Sequence, residues 1–316
     1  MDETEHTPLD RPDITGPLPG YRLRAQLART GMSEVFRAEE ADSGRPVALK
    51  VIGPELMRLP GFAERFERES RVAVTLKHPN IVDVYRAGKA DGGRLGFLTM
   101  RFIEGSNLRL VLENHGKLGL EATVDIAQQV AAALDAAHAR NVIHRDVKPA
   151  NILIEEATGR AYLCDFGIAK DIELSSITTT GATVGSLLYL SPEQQRSGRD
   201  VDRRTDVYAL GCVLYDCLAG VPATPVRDRR VLSVPLLGSP VDRVLRKAMA
   251  EDPAHRHGSC GELAEELAAA AAKTPSMRRW AGAMAVAGAG LTTALVATVA
   301  ATVVDPAPDR AALARV

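Results

Sequence analysis

His144, Asp146, Lys148 and Asn151 fall within one run of eight residues, His144-Arg145-Asp146-Val147-Lys148-Pro149-Ala150-Asn151. A carboxylate, an ammonium and a carboxamide at these offsets suit phosphoryl transfer. That reaction needs a carboxylate to accept the proton of an attacking hydroxyl, cations facing the phosphate oxygens, and oxygen ligands for a metal. Asp146 matches the first task, Lys148 the stabilisation of the group in transfer and Asn151 the metal, provided that one tight turn presents all three. Fourteen residues after Asn151 stands Asp165-Phe166-Gly167, behind the apolar run Ala161-Tyr162-Leu163-Cys164. A carboxylate at the end of such a strand can chelate magnesium, and the glycine lets the chain turn sharply.

Upstream, Val47-Ala48-Leu49-Lys50 alternates as a strand, so that Lys50 emerges on one face where it could meet the non-transferred phosphates. Its candidate partner is Glu69, in the charged stretch Arg65-Phe66-Glu67-Arg68-Glu69; an ion pair would fix the ammonium. Glu67 is the alternative, since the two glutamates point in different directions on a helix.

These residues need elements to hold them. From Tyr21 to about Arg101 the pattern reads as short strands at Tyr21-Leu27, Val35-Glu40, Pro46-Val51, Val82-Lys89 and Gly96-Phe102, with one amphipathic helix, Gly61-Leu76. After Gly105 the periodicity becomes helical, most clearly over Leu120-Arg140, and continues to about Ala272. The predicted fold is α+β, with a small strand-rich lobe followed by a larger helical one.

With 39 lysines and arginines against 40 aspartates and glutamates, the chain carries no electrostatic footprint for nucleic acid. Four cysteines without metal-ligand spacing (Cys164, Cys212, Cys217, Cys260) read as reduced, mostly buried thiols, consistent with a cytoplasmic domain. Residues 1–20 read as a disordered leader without the pattern of a signal peptide, and 21–272 as the folded domain. After a basic segment, 273–280, the run Ala281 to Val304 holds 24 residues without a charge. That is long enough to cross a hydrocarbon core of about 30 Å. Lys273, Arg278 and Arg279 before it place the N-terminal domain in the cytoplasm and leave 305–316 as a short extracytoplasmic tail. Ala283 with Ala287 and Gly290 with Ala294 could let two such helices approach as a homodimer.

Taken together, these motifs resemble the protein kinase superfamily, and more narrowly the bacterial Hanks-type serine/threonine protein kinases with one transmembrane helix. The resemblance covers about Tyr21 to Ala270. It implies a bilobal fold that binds ATP with Mg2+ (or Mn2+) in the cleft and phosphorylates serine and threonine of protein substrates. Lys148, two places after Asp146, follows the serine/threonine pattern. Thr183-Val184-Gly185-Ser186 stands where such kinases grip the substrate residue, making Ser186 the partner of Asp146 and Lys148. The resemblance also implies Leu27, Gly31, Val35, Ala48, Met100, Phe102, Ile103 and Leu153 around the nucleotide, with Met100 as gatekeeper and Arg101 to Ile103 as hinge. Ser191-Pro192-Glu193, Asp206 and Arg256 match structural positions, Arg256 pairing with Glu193. Thr178 and Thr180 stand where similar kinases autophosphorylate, with Arg145 as the receiver of the phosphate.

Two departures stand out. The loop that should read Gly-x-Gly-x-x-Gly-x-Val has Ala28, Thr30 and Ser33 at its glycine positions, with only Gly31 between them. Glycine permits close backbone approach to phosphates, so weakened ATP binding is expected, and a membrane-tethered binding module without transfer is the competing reading. Residues 222–240 replace an expected helix with a short stretch containing proline and arginine, which bears on substrate docking.

Overall fold

The computed structural model describes residues 18, 20–29, 33–166, 188–196, 201–220 and 239–273. The smaller lobe is a five-stranded antiparallel sheet in the order β1-β2-β3-β5-β4. Its strands are β1 (Tyr21–Arg29), β2 (Ser33–Glu40), β3 (Pro46–Ile52), β4 (Val84–Ala90) and β5 (Leu95–Arg101). Each falls within two residues of the expected position at its start. A short helix that the periodicity did not announce, α1 (Pro54–Met57), precedes α2 (Phe62–Thr75).

Strand alternation divides the side chains of β3 between two apolar groups. Val47, Leu49 and Val51 pack on one face with Phe36, Ala38 and Leu95. On the other face, Ala48 and Ile52 join Phe66, Leu98, Met100, Ile103 and Tyr162, with Leu153 packed against them. Lys50 lies between Ala48 and Ile52 and shares this second face, because side chains two apart in a strand point the same way. Helix α2 is held by Phe62, Phe66 and Ala73, buried at helical spacing on its sheet side.

The helical lobe contains α3 (Leu108–His115), α4 (Leu120–His138), α5 (Pro192–Arg196), α6 (Arg204–Ala219), α7 (Ser239–Ala248) and α8 (Cys260–Ala272). A small antiparallel sheet, β6 (Gly105–Asn107), β7 (Ile152–Glu155) and β8 (Ala161–Leu163), carries the segment between the two motifs. Helix α6 is the centre of this lobe: Thr205 to Leu214 are all buried, so it has no solvent face along that stretch. Gly211 lets α7 approach, since a Cβ there would lie 2.9 Å from the Cβ of Ala248. On α4, Ile126, Ala127, Val130, Ala131 and Leu134 face the same core, and the alanines keep the helix close to its neighbours.

All four cysteines are free, three buried and Cys164 partly so, as their spacing suggested. Among the described residues no helix is long and apolar enough to cross a membrane. The expected transmembrane segment 281–304, its flanks 274–280 and 305–316, the leader to residue 17 and most of the 222–240 stretch lie outside the described residues.

Candidate active site

The run from His144 to Asn151 is fixed from below by one buried carboxylate. Asp206, near the start of α6 and fully buried, accepts the backbone N–H of His144 at its Oδ2 and of Arg145 at its Oδ1, both at 2.8 Å. Consecutive N–H groups converging on one anion form a nest. Arg145 adopts the left-handed region (φ 61°), which a long side chain rarely does without such restraint. Gln194 on α5 adds a bond to the Arg145 carbonyl at 3.0 Å.

His144 braces the loop against the segment that carries Cys164 and Asp165. Burial lowers the pKa of its ring, against the pull of Asp206 and Asp146, and so keeps it neutral. Its Nε2 lies 2.9 Å from the Cys164 carbonyl, which fixes the proton there, and Nδ1 then accepts the Asp146 N–H at 3.2 Å. The ring also packs on Phe166, with centroids 4.6 Å apart. The motif contains His144, but spacing alone gave this histidine no task.

The three chemical groups meet as expected. Asp146 Oδ2 accepts from Lys148 Nζ at 2.9 Å and from Asn151 Nδ2 at 3.0 Å, and Asn151 also bonds the Asp146 carbonyl. A short 3-10 turn, Pro149–Asn151, brings Asn151 back to Asp146. Asn151 offers its carboxamide oxygen and Asp165 its carboxylate, hard donors that fit Mg2+ or Mn2+.

The expected partner of Lys50 is Glu69; the carboxylate beside its ammonium is that of Asp165. Lys50 Nζ lies 2.9 Å from Asp165 Oδ1. Burial alone would lower the ammonium's pKa, but Asp165 more than offsets this and holds it above the ordinary lysine value. Asp165 takes the left-handed backbone conformation (φ 57°) where its carboxylate meets the ammonium. Glu69 lines a cavity of about 290 Å³ with Arg68, Val72, Ile143, Arg145 and Phe166. Glu67, the alternative partner, pairs with Lys89 on β4 at 2.7 Å.

The apolar residues assigned to the nucleotide are only partly brought together. Ala48 and Met100 are register partners and share a cluster with Ile103 and Leu153. Val35 lies opposite Lys50 on β2. Phe102 instead packs under the Arg37 guanidinium, 4.9 Å from its ring centre, and Leu27 is exposed on β1. Arg101, in the hinge, bonds Glu155 of β7 at 3.0 Å. Gly31, Thr178, Thr180 and Ser186 lie outside the described residues.

The structural pair is bidentate: Arg256 reaches Glu193 through two N–H···O contacts of 2.7 and 2.8 Å, and its remaining donors meet the carbonyls of Arg204, Ala250 and Glu251. Glu193 is pushed up by burial, but the guanidinium prevails and lowers its pKa below the usual range.

The family model described as the protein kinase domain matches residues 21–266. Serine/threonine-protein kinase PknD of Mycobacterium tuberculosis is 40% identical over 270 residues, 80% of this chain and 40% of that protein. PknB of Mycobacterium leprae is 39% identical over 264 residues, 78% of this chain and 42% of its own. The chain therefore spans about two-fifths of the length of these relatives. Among solved structures, the kinase domain of Mycobacterium tuberculosis PknI superposes with a TM-score of 0.65 at 31% identity, covering 80% of this chain and 96% of that one.

Proposed function

Since the chain belongs to the protein kinase domain family, we propose that it transfers the γ-phosphoryl group of ATP to serine and threonine hydroxyls of proteins. The observation that carries this reading is the carboxylate of Asp146, held between Lys148 and Asn151 on a loop whose backbone is anchored at Asp206. Asp146 accepts the proton of the attacking hydroxyl, and Lys148 faces the phosphoryl group as it moves. Lys50 steadies the non-transferred phosphates. Asn151 and Asp165 hold Mg2+ or Mn2+, which neutralises phosphate charge when bound. Ala48, Met100, Ile103 and Leu153 offer an apolar site for adenine. The absence of transfer, with the domain acting as a binding module, draws support only from Ala28 and Thr30; the intact Lys50, Asp146, Asn151 and Asp165 weigh against it.

The same proposal includes anchoring at the cell membrane by 281–304 with the kinase domain cytoplasmic, supported by that uncharged run and the basic residues before it. It includes autophosphorylation at Thr178 and Thr180, with Arg145 as the receiver of the phosphate. Homodimerisation through the small residues of the anchor is part of it as well.

The test is incubation of the purified chain with γ-labelled ATP, Mg2+ and a generic protein substrate, followed by phosphoamino-acid analysis and mass spectrometry. Phosphoserine and phosphothreonine, with both threonines modified, are expected. Label confined to tyrosine would contradict the serine/threonine assignment, and unmodified Thr178 and Thr180 would remove the autophosphorylation step.

A further inference from the structure

Below the catalytic loop lies a cluster that phosphoryl transfer does not use. Asp135 and His138 stand three apart on α4 and so share a face. Cys260 is the first residue of α8. One ligand atom from each lies within 4.8 Å of the others. The His138 side chain is only 6% exposed, and its buried Nδ1 has no hydrogen-bond partner; it faces Asp135 Oδ1 at 3.6 Å, beyond hydrogen-bond length. The opposite nitrogen, Nε2, lies 2.7 Å from Asp206 Oδ2. One ring nitrogen held by a carboxylate and the other aimed at further donors is the arrangement of a metal-bound imidazole. Asp135 is itself fixed, accepting the N–H groups of Cys260 at 3.1 Å and Gly261 at 2.8 Å.

We propose that Asp135, His138 and Cys260 form a divalent transition-metal site, suited to Zn2+, that fastens α8 to α4 and abuts the catalytic-loop anchor Asp206. Nitrogen, oxygen and sulfur donors together select a borderline-soft cation, and three protein ligands leave one position for a further ligand. Without metal the cluster holds protons instead. Burial works against charge on His138, but Asp135 and Asp206 prevail and raise its pKa to about 9. Burial, reinforced by Asp206 and Asp135, keeps the Cys260 thiol protonated. Near neutral pH, uptake of one M2+ therefore displaces one proton from His138 Nδ1 and one from Cys260 Sγ. The net charge of the cluster, with the half-buried Asp135 and the buried Asp206 included, is unchanged by this exchange. The ring stays bonded to Asp206, so an occupied site stiffens the carboxylate that holds the His144 and Arg145 amides.

The test uses the full chain, stripped with a chelator and titrated with Co2+. One equivalent should produce a near-ultraviolet thiolate-to-cobalt charge-transfer band, displaced by Zn2+, with two protons released per metal in weak buffer near pH 7. Cys260→Ala should abolish the band and weaken Zn2+ binding by at least about tenfold, while its metal-free melting curve stays cooperative. Cys164→Ser should retain the band, separating this cluster from the thiol beside Asp165. No band in the wild-type chain overturns the proposal, even if Cys260→Ala fails to fold. A band that survives Cys260→Ala, or one lost only with Cys164→Ser, overturns it equally.

Discussion

The catalytic loop and the strand that should cover the nucleotide are built in opposite ways. The loop rests on Asp206, fully buried, with charge-assisted bonds to two consecutive amides and to His138, and is braced again by His144 and Gln194. Strand β1 is exposed from Arg22 to Arg29, and its pairing with β2 is twice displaced, between Leu23 and Ala25 and between Gln26 and Ala28. One ion pair at the end of this strand joins Arg29, 43% exposed, to the buried Glu34 at 2.9 Å. The chemical groups are thus over-determined and the nucleotide cover is not. Substitutions beneath the loop should cost stability and turnover together, whereas substitutions in β1 should change nucleotide affinity alone.

The largest effect is expected at the anchor. Asp206→Ala leaves two buried N–H groups and His138 without their acceptor. It should destabilise the domain by about 3–5 kcal/mol in urea unfolding and lower phosphotransfer by at least about a hundredfold through misplacement of Asp146. A variant that lost turnover at unchanged stability would break the comparison. Next in size is Arg256→Lys. A single ammonium cannot reproduce the bidentate bond to Glu193 together with three carbonyl contacts, so a loss of about 2–3 kcal/mol is expected.

A pH effect sharpens the same contrast. The folded pKa of His138, about 9, stands above its ordinary value of 6.5. The imidazolium's contribution is therefore complete below about pH 6.5 and is lost as the pH rises through 9. In the presence of chelator, stability should fall by on the order of 2 kcal/mol over that window, and His138→Gln should flatten the slope. The smallest change is expected at the missing glycines: restoring them with Ala28→Gly in β1 and Thr30→Gly, two positions on in the sequence, should lower the KM for ATP by about fivefold, roughly 1 kcal/mol, with kcat little altered.

Most of this design is legible in the sequence because its parts are local. Asp146, Lys148 and Asn151 share one turn, so their spacing alone brings them together, and the strand alternation around Lys50 survives folding unchanged. The Arg256–Glu193 bond spans 63 residues and came from the family pattern rather than from periodicity. What stayed hidden depends on tertiary direction. That Asp165 meets Lys50 is a matter of the tertiary fold and leaves no trace in residue spacing. His138 and Asp135 lie in the amphipathic stretch Leu120-Arg140 with nothing local to single them out, since their partners Asp206 and Cys260 lie 68 and 125 positions away.

The central claim is that Asp146, on its anchored loop, performs phosphoryl transfer. Its most direct test is the rate of phosphate transfer from labelled ATP by the purified chain beside Asp146→Asn, with folding of both verified by thermal unfolding. The account predicts transfer by the wild-type chain and a fall of about 10²- to 10⁴-fold in the variant. Equal rates in the two, or no transfer from a folded wild-type chain with Mg2+ or Mn2+, would contradict it.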